Sequence, residues 1–249
     1  MTHEPRVVVA LDVSSREQAL DLARTLRPAT DWVKIGLELF TSCGPRIVQE
    51  IKDLDYNVFL DLKLMDIPNT VRKSVNNCID LGVDMLTLHL LGGEKMINAA
   101  IDARDGRDFQ ARSRPALVGV TLLTSLDRSD LPWPESRSLY DVVLDLASRA
   151  GRWGLDGVVC SGGEAAGIKK SAMEGFCLVT PGIRPGENLE DQKRAVTPSM
   201  AMEAGATHLV IGRPVTASRD PLDSLMQIRR ELSANLQGAA YGGHGKESA

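Results

Sequence analysis

The sequence predicts a single (β/α)8 barrel, and three observations carry that expectation. Eight short apolar runs recur along the chain, helix-like segments lie between them, and the length is 249 residues. Strict strand–helix alternation predicts a parallel sheet, eight repeats predict closure, and such barrels use about 250 residues. A doubly wound open sheet is the structural alternative. It would carry a GxGxxG turn after the first strand, where this chain runs Ala10-Leu11-Asp12-Val13-Ser14.

Taken in order, the first strand is expected at residues 7–11 and the first helix at 15–26. Ser14 or Ser15 can cap that helix, with Gln18 placed for a box-like arrangement. A second strand at 32–35 and a helix at 44–54 follow. The third strand, 58–60, leads into a helix over 69–81, with Pro68 where a helix favours proline, at its start. Strand 85–88, helix 94–103 and strand 116–120 continue the alternation. Residues 125–138 are polar, contain Pro132, Trp133 and Pro134, and read as a loop over the barrel mouth. Helix 139–151, strands 157–160, 177–179 and 208–211, and helix 221–236 complete the barrel. The expected domain therefore spans residues 1–237. Residues 238–249 lack an apolar period and are expected to form a disordered tail.

Composition narrows the function. Apolar residues make up 43% and aromatics 4%, so Val, Leu, Ile, Ala and Met must fill the core. The formal net charge of −4, without a clustered basic face, argues against a nucleic-acid partner. Cys43, Cys78, Cys160 and Cys177 form no CxxC pair, so neither a metal site nor a disulfide framework is expected. No apolar signal core follows the first residues and no stretch reaches membrane-span length, which gives a cytoplasmic, membrane-free expectation.

Chemistry concentrates in the run Asp61-Leu62-Lys63-Leu64-Met65-Asp66-Ile67-Pro68-Asn69-Thr70. Alternate strand residues share a face, so Asp61 and Lys63 are expected to point together into the barrel, with Asp66 just past the strand. Barrel enzymes place their sites at the C-terminal ends of the strands. There Asp12, Lys34, Asp61 and Lys63 would form an alternating row. A purely structural salt-bridge cluster is the competing reading, but burying four charges costs several kcal/mol per ion unless pairing is excellent. An acid–lysine–acid row points instead to proton transfer.

The opposite side of the mouth is suited to an anion. Thr180-Pro181-Gly182-Ile183-Arg184-Pro185-Gly186 follows the seventh strand and Gly212-Arg213-Pro214-Val215-Thr216 the eighth. These are the loops with which barrels commonly bind phosphate. Gly212 allows close backbone approach, Arg213 can fork two phosphate oxygens, and Gln192 can donate a further bond. Arg184 either reaches the ligand or braces the loop. Thr124 and Ser125 either offer polar groups to a heterocycle or cap their own loop. His89 and His208 read as structural, and Cys160 and Ser161 lack a base for nucleophilic work.

With both halves assembled, the chain resembles the orotidine 5′-phosphate decarboxylase family. The run Asp61 to Thr70 is similar to that family's DxKxxDIPxT signature. Leu155-Asp156-Gly157-Val158-Val159-Cys160-Ser161, residues 180–185 and residues 210–216 support it, and the resemblance spans residues 7–228. It implies conversion of orotidine 5′-phosphate to UMP and carbon dioxide without metal or organic cofactor. By the same resemblance Lys63 protonates C6, Asp61 faces the scissile carboxylate, Lys34 contacts the ribose and holds the row together, and Asp12 also binds ribose. Ser125 and Pro181 would neighbour the pyrimidine, while Gln192, Gly212 and Arg213 hold the phosphate. Asp66, Ile67 and Thr70 would reach into a neighbouring subunit's site, which implies a homodimer with shared active sites. A magnesium-dependent sugar-phosphate barrel, a Schiff-base aldolase and a non-catalytic nucleotide sensor are the competing functions.

Overall fold

The computed structural model describes residues 4–109, 114–131, 137–186 and 196–242. Eight parallel strands close into a barrel in sequence order: β1 (Arg6–Ala10), β2 (Trp32–Gly36), β3 (Asn57–Leu64), β4 (Met85–His89), β5 (Ala116–Val120), β6 (Gly157–Val159), β7 (Cys177–Thr180) and β8 (His208–Ile211). Closure comes from β1 pairing with β8, with Val7 opposite Leu209 and Val9 opposite Ile211. All eight expected strands are present.

The expected helices appear as α1 (Arg16–Leu26), α3 (Arg46–Lys52), α4 (Pro68–Asp80), α5 (Glu94–Asp105), α6 (Leu139–Arg152) and α10 (Pro221–Gly242). Short additional helices fill the remaining connections: α2 (Leu37–Cys43), α7 (Gly162–Lys169), α8 (Pro198–Glu203) and α9 (Arg213–Thr216). Ser15 is the cap of α1, accepting the Gln18 N–H at 3.3 Å, while Ser14 instead donates to Glu38 at 2.7 Å. Pro68 opens α4. The last helix, expected over 221–236, runs on to Gly242. Ala239 and Ala240 are strong helix formers and extend it into the segment read as tail. Among the described residues no helix is long and apolar enough to cross a membrane.

Period-two alternation divides each strand between two cores. Val8, Ala10, Trp32, Phe59, Met85, Val118, Val179 and Val210 fill the barrel interior. Their neighbours pack outward: Val33, Ile35, Val58, Leu60, Leu86 and Leu88 in one cluster, Val7, Val9, Leu209 and Ile211 in another. Covering both faces explains why the strands read as continuous apolar runs.

The base of the barrel is fastened by a repeated device. A residue one or two positions before each even strand bonds to the strand preceding it. Thr30 Oγ1 donates to the Val7 carbonyl at 2.7 Å, and Asp84 Oδ2 accepts the Val58 N–H at 2.7 Å. Asp156 Oδ2 accepts the Leu117 N–H at 2.8 Å, and Thr207 Oγ1 accepts the Leu178 N–H at 2.9 Å. Cations complete the two carboxylates: Lys52 sits 2.7 Å from Asp84, Arg114 2.9 Å from Asp156, and Arg104, only 1% exposed, bonds both Asp105 and Asp156.

Candidate active site

The same alternation builds the mouth. Two residues beyond the interior apolar layer, each of the first four strands presents a polar group: Asp12 after Ala10, Lys34 after Trp32, Asp61 after Phe59 and Thr87 after Met85. Lys34 Nζ lies 2.9 Å from Asp12 Oδ1 and 3.7 Å from Asp61 Oδ2. Asp61 Oδ2 is also 2.8 Å from Lys63 Nζ. The expected Asp12–Lys34–Asp61–Lys63 row is therefore continuous, with one carboxylate oxygen shared by two ammonium groups. Lys34 and Asp61 are each 8% exposed, whereas the Lys63 side chain stands further out.

Lys63 reaches its partner by a different route from the one expected. The β3–β4 register slips between Leu60 and Leu64, and Lys63 has φ +51°, in the left-handed region. Non-glycine residues rarely adopt it, and it typically costs about 1–3 kcal/mol. A bulge of this kind re-aims a side chain at the end of a strand. Thr87 pins it: its Oγ1 accepts the Lys63 N–H at 2.8 Å and donates to Asp61 Oδ1 at 3.1 Å.

Sequence reasoning missed two contributors. Thr87 sits between Leu86 and Leu88 and looks like an ordinary β-branched strand residue, yet it is fully buried and holds both members of the central pair. Its signal was the shared interior period with Lys34 and Asp61. Gly36 is the other. A Cβ there would lie 2.8 Å from Lys34 Nζ and 3.3 Å from Asp12 Oδ1, so only glycine leaves the pair undisturbed.

Asp66 stands outside the row of its own chain. It is exposed, and its Oδ1 accepts the Ile67 N–H at 2.6 Å. Ile67 is 67% exposed and Thr70 is exposed as well. Among the described residues Lys63 pairs with Asp61 and not with Asp66.

The loops after β7 and β8 lie where the sequence put them. Ile183 bridges to Val196, and the Arg184 N–H donates to the Val196 carbonyl at 3.0 Å, which braces that loop through its backbone. Pro181 is half-buried beside it. Gly212 caps α9, and a Cβ there would sit 3.7 Å from Asp12 Oδ2. The two halves of the mouth thus meet at Asp12. Arg213, the first residue of α9, is exposed, as are Thr124 and Ser125 on their loop. Gln192 lies outside the described residues, as do Pro132, Trp133 and Pro134.

The remaining candidates fall to structural roles. His89 accepts the Leu91 N–H at 3.4 Å, and burial, aided by the nearby Lys63 ammonium, pushes its pKa down. His208 packs edge-on against Trp32 at 5.6 Å and bonds Thr207 at 2.9 Å. Burial, with Arg6 adding to it, lowers its pKa to about 4. All four cysteines are free, and burial pushes the Cys160 thiol up to about 12, which argues against a thiolate nucleophile.

A closed parallel barrel with a row of alternating acids and lysines at its mouth, beside glycine- and arginine-bearing loops, defines a (β/α)8-barrel enzyme. The family model described as orotidine 5′-phosphate decarboxylase / HUMPS family matches residues 5–228, and the chain belongs to that family. It is 45% identical over 230 residues to the orotidine 5′-phosphate decarboxylase of Maridesulfovibrio salexigens, covering 92% of this chain and 99% of the relative. To the enzyme of the same name from Nitrosomonas europaea it is 46% identical over 241 residues, covering 94% of this chain and the whole relative. The solved orotidine 5′-phosphate decarboxylase of Lactobacillus acidophilus superposes with a TM-score of 0.80 at 35% identity, over 92% of this chain and 99% of that one.

Proposed function

We propose that this chain converts orotidine 5′-phosphate to UMP and carbon dioxide, with Lys63 as the proton donor. The observation that carries the reading is the ion pair between Lys63 and buried Asp61 at 2.8 Å, held at the mouth of a barrel of this family. Breaking the C6–carboxylate bond leaves its electron pair on C6 and releases carbon dioxide. An ammonium placed there stabilises the developing charge and then supplies the proton that forms the C6–H bond. Asp61 faces the departing carboxylate. Two like charges about 4 Å apart at an effective dielectric near 20 repel by roughly 4 kcal/mol. Enzymes typically lower barriers by about 8–23 kcal/mol. Repulsion alone is therefore too small, and electrostatic preorganisation together with phosphate binding energy must supply the larger share.

In this reading Asp12 and Lys34 bind the ribose, Ser125 and Pro181 flank the pyrimidine, and Gln192, Gly212 and Arg213 take the phosphate, with Thr124 and Arg184 on the same loops. Asp66, Ile67 and Thr70 complete the site of a second subunit. Their exposure, together with that of Met65, supports a homodimer in which each site draws on both chains. The test is the loss of orotidine 5′-phosphate absorbance on mixing with protein held in excess chelator. Stoichiometric formation of UMP is the expected result. Turnover that depends on added magnesium, or binding of UMP without turnover, would overturn it.

A further inference from the structure

The bulge that aims Lys63 depends on one buried hydroxyl. Thr87 Oγ1 accepts the Lys63 N–H at 2.8 Å and donates to Asp61 Oδ1 at 3.1 Å, so its one donor and one of its acceptor lone pairs serve the central pair. Its side chain is fully buried on β4, the strand against which β3 slips. Without that acceptor the Lys63 N–H has no partner at the slip, and the left-handed backbone loses its clamp. Without that donor Asp61 Oδ1 is free to rotate, and Oδ2 leaves the point shared by Lys34 and Lys63. We infer that Thr87 is a positioning residue: its hydroxyl fixes the Lys63 backbone and the Asp61 carboxylate in the arrangement that decarboxylation uses. This rests on the proposed reaction for its kinetic consequence, and on geometry alone for its structural one.

Thr87→Val keeps the shape and removes the hydroxyl, while Thr87→Ser keeps the hydroxyl and removes a methyl group. The valine variant is expected to lose about 10–100-fold in kcat, the range set by losing hydrogen bonds to charged groups. KM and UMP affinity should change no more than about threefold. The serine variant should recover most of the loss. A crystal structure of Thr87→Val should show Lys63 out of the left-handed region or the Asp61 carboxylate rotated. Thr87→Cys replaces valine in the same measurements if that variant does not fold. Wild-type kcat in the valine variant, or a serine variant as impaired as the valine one, would overturn the assignment. So would a valine structure with Lys63 and Asp61 unmoved, even if the wild-type chain proved inactive on orotidine 5′-phosphate. Inactivity of the wild-type chain by itself would overturn only the proposed reaction.

Discussion

At the base of the barrel Asp84 and Asp156 each accept a backbone N–H from the neighbouring strand and then a cation. At the mouth Asp61 is at least as buried, but its partners are two ammonium groups and one hydroxyl. The base carboxylates replace hydrogen bonds the parallel ladder leaves open, so their charge is part of the closure of the sheet. The mouth carboxylate fastens no strand end; it orders charges that face an opening. Backbone N–H partners mark the acids that close the sheet, and side-chain partners alone mark the acid at the mouth. This criterion separates two clusters that composition makes look alike.

Substitutions at the two ends should therefore fail in different ways. Asp61→Ala, at the mouth, is expected to lose turnover rather than stability. Turnover should fall by about 10²–10³-fold or more, the scale of removing one preorganised electrostatic group, with the unfolding transition little changed. Steady-state kinetics and thermal unfolding on one preparation check both halves. Arg104→Ala, at the base, removes the buried guanidinium and leaves Arg114 as the cation of Asp105 and Asp156. Losing hydrogen bonds to charged groups costs about 1.5–3 kcal/mol, visible in denaturant unfolding, while kcat per folded molecule should stay near wild type.

His208, also at the base, makes that end sensitive to pH. The folded protein holds its imidazole near 4 against an ordinary 6.5, so the unfolded chain binds the extra proton more readily between those values. Stability from the neutral ring is full above about 6.5 and is lost as pH falls towards 4, on the order of 3 kcal/mol. Unfolding free energies across that range should slope accordingly, and His208→Gln should flatten the slope. The smallest effect is expected from Gly36→Ala at the mouth. The added Cβ displaces Lys34 Nζ, but a lysine tip can swing aside, so stability should hold. Turnover should fall about tenfold through misplacement of the row. Equal turnover would show that Lys34 tolerates displacement.

Much of this contrast was legible in the residues. Continuous apolar runs announced strands covered on both faces, and charges at their ends stood out because such positions rarely carry them. The bulge at Lys63 was not legible, because it arises from how β3 pairs with β4 rather than from any local preference of Leu62 or Lys63. Thr87 was hidden for the related reason that a threonine flanked by leucines fits any strand; only its neighbours across the sheet give it a role. Gly36 reads as the end of a strand until Lys34 Nζ is seen above it. Asp66, expected just past the strand, is exposed there and pairs only with the neighbouring Ile67 N–H among the described residues. The extension of α10 to Gly242 shows a last boundary blurred by helix-forming alanines beyond the apolar period.

Lys63→Ala offers the sharpest comparison, because the same variant can be followed for both folding and chemistry. Its ammonium is partly exposed and fastens no strand, so unfolding free energy should stay within about 1 kcal/mol of wild type. Conversion of orotidine 5′-phosphate should fall by about 10³-fold or more in the same sample, at the upper part of what a positioned acid contributes. Retained turnover would contradict the role of the mouth charges, and so would inactivity explained entirely by unfolding.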